Sequence, residues 1–284
     1  MKRDAIVSLR DGRKLGYAEY GDPQGKPLFY FHGWPASRLS GSETHEAAKK
    51  LKIRVISPDR PGFGLSDYKQ NRTLLDWAVD VAELADILNI KKFAVLGVSG
   101  GGPYAAVCAY SIPERITNTG IVVGLAPPYV KGITKGIFFA SKIGWDNYHR
   151  FPLLRKLGAW MAAIEFKYAP FIGKLVGFWA KTDKDLLKTK IVTDNFASCS
   201  EAYRHGVRGP ELELKLYTDD WGFKLSDIRK KVYLWYGAKD VNVSLAMGKY
   251  YKLQIPQSEL FIDEAGGHLS RIKHEEEILR VLME

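Results

Sequence analysis

The sequence predicts an α/β protein: a mainly parallel, eight-stranded sheet with helices on both faces and an inserted α-helical cap. Along most of the chain, short apolar segments alternate with segments of helical spacing, the pattern of strand–helix–strand units in a parallel sheet. Several apolar segments are continuous, as in strands buried on both faces. The alternation stops between Pro127 and about Gly222, where the chain is helical in pattern and rich in aromatic residues.

Eight segments have the composition of strands. The first two are joined by Arg10-Asp11-Gly12-Arg13, in which Asp-Gly is a hairpin signal. The later segments are apolar runs, several of them followed by glycine, proline or charged residues. The predicted strands cover residues 5–9, 14–20, 27–31, 53–57, 93–97, 116–124, 231–236 and 259–262.

Helical spacing is clearest over residues 73–88, where apolar residues recur every three or four positions and Thr73 is the predicted N-cap. Pro103 suits the first turn of a helix, because the N–H that proline lacks is not needed there. Together these elements predict an α/β core domain of residues 1–126 and 223–284, with 127–222 as the helical cap. The other predicted core helices cover residues 42–51, 103–110, 244–253 and 270–283.

Composition narrows the class of protein. With 284 residues, 46% of them apolar and 26% charged, the chain is expected to form one large globular core. Cys108 and Cys199 are too few and too far apart for a disulfide framework or a zinc cluster, so both are predicted to be buried small hydrophobes. The N-terminus returns to charge too quickly for a signal peptide, and Gly-Gly-Gly-Pro interrupts the longest uncharged run. A cytoplasmic location is expected.

The stretch Leu96 to Tyr104, LGVSGGGPY, contains Gly97-Val98-Ser99-Gly100-Gly101 between a predicted strand and a predicted helix. This is the G-x-S-x-G pattern of a nucleophile elbow, in which the turn is so sharp that the neighbours of the serine must be small. The helix start directs unpaired N–H groups towards the serine oxygen. Ser99 is therefore the predicted nucleophile, although a glycine-rich turn with an incidental serine matches the same pattern.

A serine hydroxyl needs a base to activate it and an acid to orient that base. His268 follows the predicted strand 259–262, at a strand end where ligands bind in open α/β sheets. Asp240 follows the strand 231–236, which gives the order Ser, Asp, His expected after such an elbow. We predict that His268 is the base and Asp240 the acid. Three other carboxylates compete for the role of the acid: Asp219, Asp220 and Asp263.

The remaining histidines are assigned other roles. His32 is predicted to be a hydrogen-bonded structural residue rather than a second base. His45 and His274 lie among charges in predicted helices and are expected to be solvated, and His149 and His205 are expected on the cap surface. No pair of histidines has zinc-ligand spacing with a nearby carboxylate, so no metal site is predicted. No cofactor is indicated either.

Acyl transfer needs two N–H donors for the developing oxyanion. The loop His32-Gly33-Trp34-Pro35 follows an early buried strand, where hydrolases with this elbow keep one of the donors. Pro35 has no N–H, so the backbone of Trp34 is the predicted donor and the backbone of Gly100 its partner. Gly33 permits the turn, and Gly33 and Trp34 are the predicted substrate-binding residues.

Taken together, five motifs resemble those of the α/β-hydrolase superfamily, in its serine-nucleophile branch with a helical cap. The resemblance spans the chain except the cap, and it implies a nucleophile at Ser99, an acid at Asp240, a base at His268 and an oxyanion hole at Trp34 and Gly100. The motifs are FHGWP at 31–35, DRPGFGLS at 59–66, GVSGG at 97–101, GAKD at 237–240 and GGH at 266–268.

Differences from related branches of the superfamily disfavour several activities. Dehalogenases and epoxide hydrolases resemble this layout but have aspartate at the elbow, so Ser99 argues against both. Proline iminopeptidases have tryptophan after the serine and acidic residues in the cap. Gly100 and a basic cap disfavour that activity here. The short HGWP loop does not match the longer glycine-rich oxyanion loop of larger lipase branches.

The expected activity is that of a serine hydrolase, which cleaves a small or medium carboxylic ester, thioester or lactone through an acyl-enzyme. Because free histidine titrates near about pH 6.5, activity is expected at neutral or alkaline pH. Carbon–carbon bond hydrolases and perhydrolases resemble this chain with the same three residues. A low-turnover ligand-binding or regulatory protein on this fold is the alternative from another class.

Most of the net charge of +10 lies in the cap, where residues 131–190 contain 12 Lys or Arg and 4 Asp or Glu. One interpretation is the solvated outer face of amphipathic helices. The other is peripheral contact with an anionic membrane through the basic cap. Nucleic acid is not expected, because no binding motif accompanies the charge. A small-molecule substrate is the expected partner.

Overall fold

A computed structural model describes residues 3–168, 183, 185–186 and 189–284. Its strands form a sheet in the order β1-β2-β4-β3-β5-β6-β7-β8. The pairs β1–β2 and β2–β4 are antiparallel, and every other neighbouring pair is parallel. The predicted eight-stranded, mainly parallel sheet is therefore confirmed. The strands are β1 (Arg3–Ser8), β2 (Lys14–Gly21), β3 (Lys26–Phe31), β4 (Ile53–Pro58), β5 (Phe93–Val98), β6 (Ile116–Val122), β7 (Val232–Gly237) and β8 (Ser258–Asp263).

The α-helices of the described residues occupy both the core and the segment predicted as the cap. They are α1 (His45–Lys50), α2 (Leu75–Ile87), α3 (Gly102–Ser111), α4 (Phe139–Asn147), α5 (Pro152–Ala163), α6 (Lys190–Ala202), α7 (Arg208–Thr218), α8 (Leu245–Gln254) and α9 (Glu275–Met283). Short 3₁₀ segments cover Arg38–Thr44, Ser99–Gly101, Leu225–Asp227 and Ser270–His274, and a π-helical turn covers Ile164–Tyr168.

The strand β3 shows how both faces of the sheet are covered. Leu28 and Tyr30 pack in one apolar cluster with residues of α1 and α9, whereas Phe29 and Phe31 pack in another with residues of α2, α3 and α8. Successive side chains of a strand point to opposite faces. All four are buried, so the continuous apolar run does mark a strand that is buried on both sides.

Three helix starts differ from the prediction. The predicted helices 42–51 and 270–283 each begin with a 3₁₀ segment before the α-helix. Thr73 is not the N-cap of α2, because that position is Leu74. Instead, the N–H and hydroxyl of Thr73 donate to Asp76 Oδ2 at 2.6 and 2.8 Å. The Asp76 carboxylate in the first turn of α2 thus accepts the hydrogen bonds of Thr73, the residue that precedes the N-cap.

Between residues 127 and 222, the described residues form helices and turns without a strand, as expected of a helical insertion. Phe171, Phe178 and Trp179, which belong to the aromatic residues of the predicted cap, lie outside the described residues. In the ranges that are described, no helix combines the length and apolar character needed to cross a membrane.

Gly101 allows a close approach between the loop after β5 and the strand β3. A Cβ atom at Gly101 would lie 2.1 Å from the carbonyl oxygen of Phe31, although the φ of Gly101 is an ordinary −76°. We expect Gly101→Ala to lower the free energy of unfolding by about 3 kcal/mol or more, because backbone atoms must move apart. Urea unfolding followed by circular dichroism measures this.

Gly132→Ala is the matched control. Gly132 has a φ of +81°, but a Cβ there would meet no atom within 4 Å. The free energy of unfolding of this variant should fall by only about 1 kcal/mol, the cost of a left-handed backbone conformation for alanine. Equal losses in the two variants would contradict the steric interpretation of Gly101.

Candidate active site

Ser99 lies at the turn from β5 into the following helix, with a φ of 53°. This left-handed conformation is uncommon for a residue with a side chain. The chains on either side approach closely: a Cβ atom at Gly97 would lie 2.2 Å from the carbonyl oxygen of Gly101. The predicted need for small neighbours around a strained serine is thus met in the structure.

His268 and Asp240 are hydrogen-bonded. His268 Nδ1 lies 2.7 Å from Asp240 Oδ2, and Asp240 Oδ1 accepts from the N–H groups of Asn242 and Val243 at 2.7 and 2.9 Å. The Asp240 side chain has no exposed area. A carboxylate held in this way favours the tautomer with the proton on Nδ1, which leaves Nε2 of His268 able to accept another proton.

The three competing carboxylates have other partners. Asp219 pairs with Lys215, Asp220 accepts from the N–H of Gly222, and Asp263 lies 3.3 Å from His274. Of the four candidates for the acid, Asp240 is the one that contacts His268.

Ser99 and His268 line the same two cavities. The hydrogen bonds among the described residues do not include one between the Ser99 hydroxyl and the imidazole. The structure therefore brings Asp240 and His268 into contact and places Ser99 on a shared cavity wall. Hydrogen bonds of this kind often tighten only when substrate binds.

The two predicted N–H donors are neighbours. A Cβ atom at Gly100 would lie 3.1 Å from the backbone nitrogen of Trp34, and one at Gly33 would lie 3.8 Å from Ser99 Oγ. Among the backbone hydrogen bonds of the described turns and loops, none is donated by the N–H of Trp34. The Trp34 N–H is thus available to an oxygen bound beside Ser99, next to Gly100.

His32 is buried and hydrogen-bonded, as predicted. Its Nδ1 lies 2.9 Å from the carbonyl oxygen of Gly33, and the N–H of Arg60 lies 3.4 Å from its Nε2. Since a carbonyl only accepts, Nδ1 carries the proton. Burial, together with the charge of Arg60, holds the pKa of His32 well below its usual value. His32 is thus a neutral structural residue beside the site.

The expectation that His45 is solvated is wrong. Its ring is half-buried, and Nδ1 accepts from the N–H of Gly21 at 3.0 Å. The helix α1 packs against β2. The His45 imidazole thereby accepts a hydrogen bond from the N–H of Gly21, the last residue of β2. His274 is substantially exposed, and His149 and His205 are exposed, in agreement with the predictions for them.

Two cavities meet at Ser99, His268 and Trp34. The larger has a volume of about 490 Å³ and the smaller of about 120 Å³. Apolar side chains make up much of the wall of the larger cavity, among them Ile143, Trp145, Leu154, Leu157 and Met161. The lining of the smaller cavity is also mostly apolar and includes the side chains of Ser40, Asn195, Cys199 and Arg271.

The two cysteines differ. Cys108 is fully buried, as predicted, whereas Cys199 is only partly buried and contributes to the wall of the smaller cavity. Both thiols are free. Burial raises the pKa of Cys199 to about 12, so its thiol stays protonated at neutral pH.

Two buried carboxylates of the predicted cap were missed by the sequence analysis. Asp183 accepts from the N–H groups of His268 and Leu269 at 2.8 and 3.2 Å. Glu213 of α7 lies between Arg60 and Arg72. The partners of Asp183 are backbone N–H groups, which leave no pattern in a sequence, so no sequence feature indicated its contact with the loop at His268. Glu213 had one, because it is a charged residue on the apolar side of its helix.

Comparisons with known proteins agree with the fold. The family model for the alpha/beta hydrolase fold matches residues 26–146. A non-heme chloroperoxidase of Streptomyces lividans is 32% identical over 45% of this chain and 47% of its own length. A bifunctional esterase/perhydrolase of Acinetobacter calcoaceticus is 27% identical over 43% and 45% of the two chains. The chain thus spans about half the length of these relatives.

Among solved structures, a hydrolase from Pseudomonas aeruginosa superimposes with a TM-score of 0.74 at 20% identity. The match covers 99% of this chain and 98% of the other. At this identity the likeness concerns the fold.

The environment of His32 predicts its behaviour with pH. We expect its imidazole to stay neutral, with the proton on Nδ1, at a pH at which free imidazole is already protonated, because burial and Arg60 oppose a second proton. Nitrogen-15 NMR of the imidazole ring measures this, with free imidazole as the reference.

The same shift has a consequence for stability. The unfolded chain binds a proton at this histidine near about pH 6.5, whereas the folded chain does so only at lower pH, so this group destabilises the fold as the pH falls below about 6.5. A His32 ring that titrates together with free imidazole would contradict the assignment.

Proposed function

Because this chain belongs to the α/β-hydrolase superfamily, we propose that it is a serine hydrolase that cleaves a small or medium carboxylic ester through an acyl-enzyme. The observation that carries the proposal is the hydrogen bond of Asp240 to His268 beside a cavity that Ser99 also lines. Thioesters and lactones have the same electrophilic carbonyl and belong to the proposed substrate class.

In the proposed mechanism, His268 Nε2 takes the proton of Ser99 while Oγ attacks the carbonyl carbon. Asp240 keeps the ring oriented and stabilises the imidazolium that forms. The N–H groups of Trp34 and Gly100 hold the oxyanion, and each such donor is typically worth about a hundredfold to a thousandfold in rate. His268 then protonates the leaving group, and water releases the acyl group by the same steps.

The cavities support a substrate with two groups of unequal size. The larger cavity has a volume of about 490 Å³, within the range that small-molecule sites occupy. The smaller cavity has a volume of about 120 Å³, and both linings are mostly apolar. We propose that the larger group of the ester occupies the larger cavity and that a short group occupies the smaller one.

Perhydrolysis is the second candidate, favoured by the names of two relatives, a chloroperoxidase and an esterase/perhydrolase. In this reaction, hydrogen peroxide attacks the acyl-enzyme in place of water. The peroxide oxygen bonds to the acyl carbon, Ser99 regains its proton through His268, and a peracid leaves. The triad proposed for ester hydrolysis serves both reactions.

We expect a fluorophosphonate probe to label the protein at Ser99 and Ser99→Ala to abolish both labelling and the cleavage of short p-nitrophenyl esters. Asp240→Asn should lower kcat by about 10⁴, because the imidazole loses its orienting carboxylate. Ser111→Ala is the matched control, since Ser111 is an exposed serine at the end of α3. Labelled-peptide mass spectrometry and initial rates measure the outcomes.

A substrate panel separates the alternatives. Esters and lactones test hydrolysis, a diketone tests carbon–carbon cleavage, and added hydrogen peroxide tests peracid formation. An intact protein that neither reacts with the probe nor turns over any panel member would overturn the enzyme proposal in favour of a binding protein.

The outer surface of the predicted cap supports the proposal of a lipid contact. On helix α5 the large apolar side chains are exposed: Leu153 by 79%, Leu157 by 55%, Trp160 by 56% and Met161 by 61%. The small Ala159, Ala162 and Ala163 are buried instead. This reverses the usual amphipathic arrangement, in which the large apolar residues face the core.

The same helix and the segment around it are basic, so we propose that this face contacts an anionic lipid surface. Lys156 is exposed on α5, Arg150 is exposed just before it, and Lys131 and Lys135 are exposed earlier in the predicted cap. Leu157 and Met161 also line the larger cavity. A lipid-like ester could therefore enter the cavity from the surface on which the protein rests.

We expect the protein to sediment with vesicles that contain anionic phosphatidylglycerol, and far less with pure phosphatidylcholine or at high salt. The double variant Leu153→Ser/Trp160→Ser should weaken binding by about tenfold or more, because it removes two apolar contacts. Val79→Ser/Leu253→Ser is the matched control, with two exposed apolar residues on α2 and α8.

Equal sedimentation with both vesicle types, or none with either, would contradict the lipid proposal. If analytical ultracentrifugation shows a dimer that Leu153→Ser/Trp160→Ser dissociates, the face belongs to a second copy of the chain.

A further inference from the structure

Five buried polar side chains connect the helix α7 with the turn at Ser99 and the loop after β3. We call them the Glu213 cluster: Arg60, Arg72, Tyr104, Glu213 and Tyr217. None of them is Ser99, Asp240 or His268, and none contributes a group to the acyl-transfer steps described above. Their contacts nevertheless end on both segments that supply the proposed oxyanion donors.

Arg60 contacts the first of these segments. Its Nη1 donates to the carbonyl oxygen of His32 at 2.6 Å, and its Nη2 donates to that of Gly33 at 2.9 Å. The Gly33 carbonyl and the Trp34 N–H belong to the same planar peptide group and point in opposite directions. Holding this carbonyl therefore sets the direction of the Trp34 N–H.

Tyr217 contacts the second segment. Its hydroxyl lies 2.9 Å from the carbonyl oxygen of Gly100 and 2.9 Å from Glu213 Oε1. A Cβ atom at Gly100 would lie 2.4 Å from this hydroxyl, so the hydroxyl end of Tyr217 packs directly against Gly100. The helix α7 is thereby attached to the residue whose N–H is the second donor.

Glu213 joins the two contacts. One of its oxygens, Oε1, lies 2.5 Å from Arg60 Nε, and the other pairs with Arg72. The side chains of Glu213 and Arg60 have no exposed area. Burial alone would raise the pKa of Glu213, but the charges of Arg60 and Arg72 outweigh it and hold the pKa below its usual value. The carboxylate thus stays charged and keeps Arg60 in place.

We propose that Glu213 is a positioning residue that aligns the N–H groups of Trp34 and Gly100, acting through Arg60 and Tyr217. This inference rests on the proposed function, because it assigns a purpose to donors that the hydrolase mechanism requires. The residue comes from the segment predicted as the cap, whereas both donors belong to the core. The oxyanion hole is therefore complete only when α7 is docked.

The first test compares Glu213→Gln with Glu211→Gln. Glu211 lies on the same helix and pairs with Arg155 at 2.6 Å, and among the described residues its side chain has no hydrogen bond or ion pair with either donor segment. Glu213→Gln should lower kcat by about a hundredfold with little change in KM, since small displacements of catalytic groups cost rates of this order. Glu211→Gln should keep kcat within about threefold, as expected for a partly exposed ion pair.

Tyr217→Phe is the second variant, which tests the proposal if Glu213→Gln does not fold. It removes one hydroxyl and should lower kcat by about tenfold, with affinity for a trifluoromethyl ketone inhibitor reduced in the same proportion. Such an inhibitor forms an oxyanion on Ser99, so its affinity reports the donors. A merely structural role would lower the melting temperature without this parallel loss.

Amide NMR of the Trp34 and Gly100 N–H groups tests the alignment without turnover. Both signals should shift in Glu213→Gln or Tyr217→Phe and stay in place in Glu211→Gln. If they stay in place in every variant, the inference is overturned. An inert wild-type protein whose amide signals do shift would overturn the proposed function and leave the positioning role supported.

Discussion

The packing of the site depends on the turn at Ser99, where the chain passes from β5 into a helix. Ser99 itself has a φ of 53°. The turn is tight because Gly97 and Gly101 let β3, β5 and the helix approach to backbone contact. It brings the serine side chain, a helix start and the loop after β3 to one place. Hydrogen-bond donors and a hydroxyl are thereby concentrated at the carboxyl edge of a parallel sheet, where ligands bind in folds of this kind.

Three buried carboxylates hold the segments around this turn through hydrogen bonds and ion pairs. Asp240 is hydrogen-bonded to His268, Asp183 accepts from the backbone of the same loop, and Glu213 lies between two arginines. Two of the three, Asp183 and Glu213, belong to the segment 127–222, which lies between β6 and β7 in the sequence. The buried charges are costly unless they are paired and hydrogen-bonded, so the segment 127–222 and the core specify one arrangement of the site together.

Local patterns sufficed for the sheet and for the residues with a motif. Each predicted strand overlaps an observed one, because a strand buried on both faces must be continuously apolar. Ser99 was found because an elbow requires glycines at two offsets. Asp240 and His268 were found because they follow strands that end at the same edge. The errors were local too: Thr73 was taken for the cap of α2 because the competing carboxylate of Asp76 was overlooked.

The sequence by itself determined the fold class, the strand order along the chain and the residues at the carboxyl ends of strands, since periodicity and turn residues are local properties. Only the tertiary structure decided which carboxylate contacts His268, how the cavities divide beside Ser99, and that Asp183 and Glu213 contact the segments around Ser99. Asp240 and His268 are 28 positions apart in the chain, and the contacts of Asp183 with His268 and of Glu213 with Arg60 join residues more than 80 positions apart. Such contacts leave no periodic signal, because each partner is selected by packing and not by its neighbours in sequence.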